Sequence, residues 1–203
     1  MRLTIIKLVS IFFLFGCTTL FGQNQEMSKI PFSTPIMGVK TNLLYDLTST
    51  INLGVEFKVS PRYTLETSVN YNPWTFGGDK KLKHLLVQPE LRYWLCEPFN
   101  GHFFGLHGIY GIYNIGGIDL PLVGKQKLED TRYQGDMFGA GLSYGYQWYL
   151  SPRWNLEATL GVGYVHLNYK AYQCKTCGQE LYRKHKNYLG PTKVGLSLIY
   201  IIK

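Results

Sequence analysis

Charged residues are scarce in this chain of 203 residues, at 17% of the total, against roughly 25% in an average soluble domain. Glycine (22 residues) and tyrosine (16 residues) are abundant, and aromatic residues make up 15% of the chain. This profile argues against a disordered segment or a coiled coil. It is typical of short strands that are joined by tight turns.

Long apolar runs are also scarce. Beyond the N-terminus, no segment approaches the ~20 apolar residues that a membrane-spanning helix needs, so no helical anchor is predicted. Arg2 and Lys7 flank the start of a short apolar run, a pattern typical of a secretory signal peptide. We predict a signal peptide over residues 1–22, cleaved after Gly22. The alternative is a lipoprotein signal in which Cys17 is lipidated. In either case the chain is expected to be exported.

A phrase that occurs twice indicates how the remaining chain is organised. V-S-P-R-Y-T-L-E at Val59–Glu66 returns as L-S-P-R-W-N-L-E at Leu150–Glu157. Proline cannot donate to a strand ladder, so Ser-Pro-Arg predicts a tight turn between two antiparallel strands. Each copy lies between segments in which apolar and polar side chains alternate, which predicts two hairpins.

Counting this alternation along the chain predicts eight strands. They cover about Gly38–Leu47, Ile51–Val59, Tyr63–Trp74, Lys83–Leu95, His102–Ile115, Met137–Leu150, Trp154–Tyr169 and Lys193–Ile202. In the seventh strand the phase slips near Val165–Leu167, as at a bulge or above a membrane edge. Short turns would lie at one end and the longer loops at the other, the longest being Gly116–Asp136 and Lys170–Thr192.

The polarity of the two strand faces decides between two classes of barrel. A soluble, lipocalin-like barrel keeps its apolar face inside, whereas a membrane barrel turns that face outward. Here the polar phase is crowded with Gly, Ser and Asn, together with a cluster of charges. This charge cluster consists of Lys40, Glu56, Lys58, Glu66, Glu90, Arg92 and Glu157. The apolar phase carries bulky aliphatic residues, with aromatic residues towards the strand ends, as in membrane-interface belts.

We therefore predict an all-β fold, an eight-stranded antiparallel up-and-down transmembrane β-barrel of the outer-membrane type, over residues 38–203. Residues 23–37 would form an N-terminal periplasmic segment, and the short turns would be periplasmic. The interior of eight strands has room only for side chains, so the mixed charges are expected to pair there and plug it.

Several longer motifs resemble a known family. They are K-T-N-L-L-Y-D at Lys40–Asp46, N-L-G-V-E at Asn52–Glu56, N-Y-N-P-W at Asn70–Trp74, the run from Val87 to His107, S-Y-G-Y-Q-W at Ser143–Trp148, R-W-N-L-E at Arg153–Glu157, C-K-T-C-G at Cys174–Gly178 and H-K-N-Y-L-G-P-T-K at His185–Lys193. Together they resemble the Bacteroidota family known as domain of unknown function 3575, over about Gly38 to Lys203.

This resemblance implies a small outer-membrane barrel, of a kind often encoded beside fimbrial or other surface-protein genes. No reaction is attached to the family, so the resemblance supplies no catalytic residue and no cofactor. One departure from common outer-membrane barrels is the C-terminus, Ile201-Ile202-Lys203, which lacks a final aromatic residue.

Cys174 and Cys177 form the most distinctive small motif. A zinc site needs four ligands, and this segment offers one cysteine pair, with His185 as a third candidate and no evident fourth. In an exported loop the pair is expected to form a local disulfide. Metal binding and redox activity are the alternatives. Cys96 falls in a turn at the opposite end, too far away to pair with either cysteine.

The same region is basic, with Lys170, Lys175, Arg183, Lys184 and Lys186 as candidate contacts to glycolipid. Phosphate and carboxylate groups of surface glycolipid would suit these side chains, although a solvated loop tip would have the same composition. Loss of the signal peptide changes the formal charge from +8 to +6. A basic exported protein more often meets anionic lipid or glycan than nucleic acid, so no nucleic-acid partner is predicted.

These observations favour a monomeric outer-membrane barrel with a structural or surface-interaction role, linked to surface-appendage or envelope proteins. The alternative is a binding module that captures a ligand or glycolipid through the loops Gly116–Asp136 and Lys170–Thr192. A narrow pore and an outer-membrane hydrolase rank below it. Asp46, Asp79, His84 and His166 fall near the outer rim, but such residues are more often structural hydrogen-bonding groups, so no catalysis is predicted.

Overall fold

The computed structural model describes residues 35–76, 80–116, 131–173 and 178–203. These residues form nine strands and one short helix. The elements are β1 (Met37–Asn42), α1 (Leu43–Leu47), β2 (Ile51–Lys58), β3 (Tyr63–Asn72), β4 (Thr75–Phe76), β5 (Lys80–Trp94), β6 (Gly101–Gly116), β7 (Arg132–Ser151), β8 (Trp154–Tyr172) and β9 (Glu180–Ile202). No helix in the described part of the chain is long and apolar enough to cross a membrane.

Eight of the strands form one antiparallel sheet that closes on itself. Their order is β3-β2-β1-β9-β8-β7-β6-β5, and β3 pairs with β5 from Tyr63↔Tyr93 to Asn72↔His84, which closes the ring. The two-residue β4 pairs only with the start of β5. The prediction of eight antiparallel strands in an all-β fold is thereby confirmed.

Both Ser-Pro-Arg segments are turns at the same end of the ring. Ser60 and Tyr63 exchange backbone hydrogen bonds of 3.1 and 3.4 Å around the first turn. Each arginine also donates to a tyrosine hydroxyl on a neighbouring strand. The Arg62 guanidinium lies 3.3 Å from the Tyr93 hydroxyl, and the corresponding distance from Arg153 to Tyr200 is 2.8 Å. The repeated phrase therefore performs the same structural task twice.

Three predicted strand boundaries were wrong by five residues or more, one of them the start of β7, which lies at Arg132 instead of Met137. The first strand ends at Asn42, because the Asn42 side chain accepts a hydrogen bond from the Leu44 backbone amide (3.1 Å) and caps α1. The last predicted strand was too short. Most of the predicted loop Lys170–Thr192 is strand, since β9 begins at Glu180 and pairs with β8 as far as Tyr172. β1 pairs only with Ser197–Ile202 of β9, so the upper part of the β8–β9 hairpin extends beyond β1.

Of the two explanations for the phase slip near Val165–Leu167, the bulge was wrong, because β8 stays in continuous register with β7 across these residues. Val165 is buried inside the ring, and Leu167 packs against it on the same face. What changes at this height is the polarity of the outer face, because His166 and Asn168 replace the apolar residues found below. The alternation therefore reverses in polarity while the backbone keeps its phase.

The outer surface of the ring carries a continuous belt of exposed apolar side chains. Along β8 the outward residues Trp154, Leu160, Val162 and Tyr164 are all exposed. We call this belt the apolar band. On seven strands it covers residues 51–59, 63–71, 85–95, 104–112, 138–150, 154–164 and 194–202. Paired rings mark its short-turn edge, with centroids 5.2 Å apart in both Tyr63–Tyr93 and Trp154–Tyr200.

The interior of the ring is layered. Nearest the short turns is a lower apolar layer of Trp94, Phe99, Phe103, Ile199 and Ile201. A layer of buried charged residues lies above it. An upper apolar layer follows, formed by Leu86, Ile109 and Val165 with Met137 and Leu167. A single strand, β5, passes through all of these layers, because its inward residues are Trp94, Arg92, Glu90, Gln88, Leu86 and His84 in that order.

Small residues on β7 make room for these layers. A Cβ atom added at Gly145 would overlap with the Phe103 ring and would lie 2.8 Å from the Ala158 carbonyl oxygen. Gly141 is likewise in close contact with the His107 ring. The glycines of the polar phase thus complement large side chains at the paired positions of the neighbouring strand β6.

This close approach predicts the effect of adding one methyl group. We expect Gly145→Ala to lower the free energy of unfolding by about 1–3 kcal/mol, because the interior cannot expand to accept it. Gly108→Ala is the control, since its Cβ would lie 3.4 Å from Pro89 in ordinary contact, and it should change stability by less than ~0.5 kcal/mol. Urea unfolding of the folded protein measures both values. Equal stability of the two variants would contradict this account of the interior.

Candidate functional site

A network of buried ion pairs occupies the middle of the ring, with Arg92 at its centre. The Arg92 guanidinium is completely buried and contacts carboxylates from four different strands. Its N–O distances are 2.8 Å to Glu56, 2.8 Å to Glu66, 2.9 Å to Glu90 and 2.8 Å to Glu157. The planar guanidinium has five N–H donors, so it can serve several carboxylates at once.

Two lysines complete the network from the remaining sides. The Lys40 ammonium lies 3.2 Å from Glu56, 3.6 Å from Glu66 and 3.3 Å from Glu157. Lys193 lies 2.7 Å from Glu66 and 2.5 Å from Glu90. Each of the four carboxylates therefore has at least two cationic neighbours.

Hydroxyl groups donate to the carboxylates that still have free lone pairs. Thr64 donates to Glu56 (2.6 Å), Thr159 donates to Glu157 (2.9 Å), and Ser143 donates to Glu90. These donors matter because four carboxyl groups share only three cationic side chains in the network. A buried ionic cluster is tolerated only when its remaining lone pairs are satisfied in this way.

The structure brings together most of the predicted charge cluster. Lys40, Glu56, Glu66, Glu90, Arg92 and Glu157 all take part in the network. Lys58, the remaining residue of the predicted cluster, is half-buried, lies next to the Ser60–Arg62 turn and makes no ion pair with any described residue. Lys193 was missed, although it opens the last predicted strand on the polar phase.

A cavity of about 920 Å³ lies at the other end of the ring, where the strands project furthest. Six strands contribute to this mouth cavity: β3, β5, β6, β7, β8 and β9. Its lining includes Tyr113, Tyr169, His84 and Asn114, together with several basic side chains. Its volume lies within the range of ordinary ligand pockets, which is roughly 300–1,000 Å³.

Burial within the mouth cavity shifts two ionisable groups that lie above the apolar band. Burial lowers the pKa of His84, whose Nδ1 lies 3.1 Å from the Leu82 carbonyl oxygen, so its ring is neutral at pH 7. Burial, with a smaller effect of the Asp136 carboxylate, raises the pKa of Tyr113 to about 12. Both groups are therefore uncharged hydrogen-bonding groups at neutral pH.

The remaining predicted site residues are scattered. Of the predicted glycolipid contacts, Lys170, Arg183 and Lys184 line the mouth cavity, whereas Lys186 is exposed elsewhere on β9. Asp46 in α1 accepts a hydrogen bond from Thr41 (2.9 Å). His166 contacts Asn187 (2.7 Å) and Asn168 (3.2 Å), so it is held in a polar chain. These contacts fit the structural interpretation of both groups.

Several predictions fall on residues that the structure does not describe. They concern the signal peptide over 1–22, most of the segment 23–37, Asp79, Lys175 and the proposed bridge between Cys174 and Cys177. Cys96 is a free, exposed thiol at the short-turn end. Within the described ranges, no three His, Cys, Asp or Glu side chains gather into a group that could hold a metal ion.

The central position of Arg92 predicts a strong effect of its removal. Arg92→Met would leave four buried carboxylates without their shared cation, which should lower the free energy of unfolding by about 3–5 kcal/mol. Arg92→Lys keeps the positive charge, so it should lower the stability less than Arg92→Met does. It should still lower it, because an ammonium cannot reach all four carboxylates. Lys58→Met is the control for loss of a cation outside the network. Urea unfolding of the four proteins provides the comparison, and an Arg92→Met variant as stable as Lys58→Met would contradict the central role of Arg92.

Comparison with known proteins identifies a family but no close characterised relative. Neither the curated proteins nor the solved structures gave a significant match. A family model with the description "Protein of unknown function (DUF3575)" matches residues 9–202, which is nearly the whole chain. The match agrees with the motif resemblance found in the sequence, and the chain belongs to the DUF3575 family.

Proposed function

We propose that this protein is a non-conducting outer-membrane barrel that acts as a surface-interaction protein. The observation that carries the proposal is the inverted polarity of the closed sheet. Large apolar side chains are exposed on the outside, while Lys40, Arg92 and their four carboxylate partners are buried inside. A soluble ring would favour the opposite arrangement.

The height of the apolar band suits a bilayer. On β8 it covers residues 154–164, which agrees with the ~9–11 residues of a tilted transmembrane strand. Above it, the outward side chains of β7 and β8 change to Asp136, His166 and Asn168, which hydrogen-bond to one another. Aromatic rings at the lower edge fit the interfacial belt of such barrels. We place the short turns in the periplasm and the mouth cavity at the cell surface.

The ionic network supports a closed interior. Arg92, Glu56, Glu66, Glu90 and Glu157 are each at most 2% exposed, and apolar layers lie both above and below them. Ions would have to displace paired charges that are tightly hydrogen-bonded to each other. The proposal therefore assigns no transport and no reaction to the chain. It places the activity at the outer end, with outer-membrane glycolipid and surface-appendage or envelope proteins as the partner classes and a monomer as the working unit.

Arginine scanning of the outer face tests the membrane part of the proposal. Leu142 lies near the middle of the apolar band and is 65% exposed, whereas Leu189 is 81% exposed and lies at the upper edge of the band, where it pairs with Tyr164. In a bilayer, Leu142→Arg should cost about 2–4 kcal/mol, and Leu189→Arg about 0–1 kcal/mol. Urea unfolding from lipid vesicles measures both variants. If both substitutions cost nearly nothing, the apolar band does not face lipid.

Planar-bilayer recordings test the closed interior. We expect the inserted wild-type protein to show no sustained current, because the side chains of the network and of both apolar layers fill the ring. Insertion is checked independently by the shift in gel mobility between heated and unheated samples. Sustained single-channel conductance from protein that has inserted would contradict the non-conducting role.

A further inference from the structure

We infer that the mouth cavity is a binding site for an acidic oligosaccharide, a short sugar chain that carries carboxylate or phosphate groups. The inference rests on the proposed function, because it requires the mouth to face the cell exterior. It goes beyond that function by naming the site and the chemical class of its ligand.

Aromatic side chains supply flat surfaces for sugar rings. Tyr113 and Tyr169 line the cavity. The Tyr169 ring is held by the rings of Tyr133 and Tyr182, at centroid distances of 5.6 and 6.5 Å. These tyrosine surfaces are therefore positioned before a ligand arrives, which reduces the entropy lost on binding.

The cavity has more positive than negative charge. Four residues of its lining are basic, Lys83, Lys170, Arg183 and Lys184, and one is acidic, Asp136, whose side chain points to the outer face. Asp136 already accepts a hydrogen bond from Asn168 (2.9 Å), and Lys170 and Arg183 share Glu180 at 3.7 and 3.3 Å. No described residue forms an ion pair with Lys83 or Lys184. The Lys184 ammonium lies 5.0 Å from the centroid of the Tyr182 ring, and like that of Lys83 it can bind an anionic group of a ligand.

An unsatisfied polar atom also indicates a hydroxyl-bearing ligand. Asn114 lines the cavity, and its side-chain oxygen is buried without a hydrogen-bond partner among the described residues. Buried polar atoms in folded proteins are nearly always paired, so a free acceptor in a cavity marks a place for a donor. A sugar hydroxyl is such a donor. The neutral His84 and Tyr113 and the amide of Gln134 can bind further hydroxyls.

The upper apolar layer sets the depth of the site. On β5, His84 lines the cavity, and the next inward residue, Leu86, belongs to this apolar layer. A polar ligand would therefore stop at the mouth. The sugar chain could belong to a free glycan or to the head group of a glycolipid in the same membrane, because both present the same acidic sugars.

Calorimetric titration tests the inference on protein inserted into lipid nanodiscs. We expect trigalacturonate to bind and the neutral maltotriose to bind at least tenfold more weakly. The double variant Lys83→Gln/Lys184→Gln should lose about tenfold in affinity for trigalacturonate, the loss expected when charge-assisted hydrogen bonds are removed. Lys186→Gln is the matched control, because Lys186 lies on the same strand as Lys184 but outside the cavity, and its affinity should be unchanged.

A second set of nanodiscs that contain lipopolysaccharide distinguishes the two sources. Weaker trigalacturonate binding in these discs would support occupation by the glycolipid's own sugars, and unchanged binding would support a free glycan. Three results would overturn this inference and leave the proposed function intact. They are equal binding of both trisaccharides, equal losses of affinity in the Lys186 variant and the double variant, and no binding of trigalacturonate by inserted protein. Failure to insert would overturn the proposed function and the inference with it.

Discussion

The contact of one guanidinium with four carboxylates organises this fold. Arg92 on β5 joins Glu56 on β2, Glu66 on β3, Glu90 on its own strand and Glu157 on β8. Lys40 and Lys193 extend the same contacts to β1 and β9. Six of the eight ring strands are thereby linked at one height. Charges of this kind are stable away from water only when every partner is present, so the ring must close for the network to exist.

The network also explains why the two faces of the sheet have the polarity they do. Once the polar phase faces inward, the apolar phase must face out, and a belt of exposed aliphatic and aromatic side chains follows. The interior left between the strands is narrow, so a large inward residue such as Phe103 requires a small residue such as Gly145 at the paired position of the next strand. In the described part of the chain, the filled middle leaves space for a ligand in the mouth cavity. The proposed surface role and the proposed sugar site both follow from that division.

Local sequence signals were sufficient where a strand has one apolar and one polar face. β2 and β3 alternate without interruption, and the Ser-Pro-Arg turns stand out because proline and its neighbours restrict the backbone. The inward charges were likewise readable from their phase. The upper part of β9 could not be recognised as strand from the sequence, because both of its faces are polar above the apolar band and the period-two alternation disappears. The helical turn at Leu43–Leu47 depends on the Asn42 cap within a segment that otherwise alternates like a strand.

The mouth cavity could not be predicted as a unit, since six strands that are distant in sequence build it. Its basic residues on β8 and β9 were recognised, but Lys83, Tyr113 and Asn114 carry no local signal. The central claim, an apolar outside around a closed charged inside, is tested most directly by nitroxide scanning along β8 in lipid bilayers. We predict that the outward positions between Trp154 and Tyr164 are accessible to oxygen dissolved in the lipid. His166 and Asn168 should be accessible to a water-soluble nickel reagent. The inward positions from Asn155 to Gly163 should be accessible to neither oxygen nor the nickel reagent. Access of the nickel reagent to the inward positions, or to the outward positions of the band, would contradict the account.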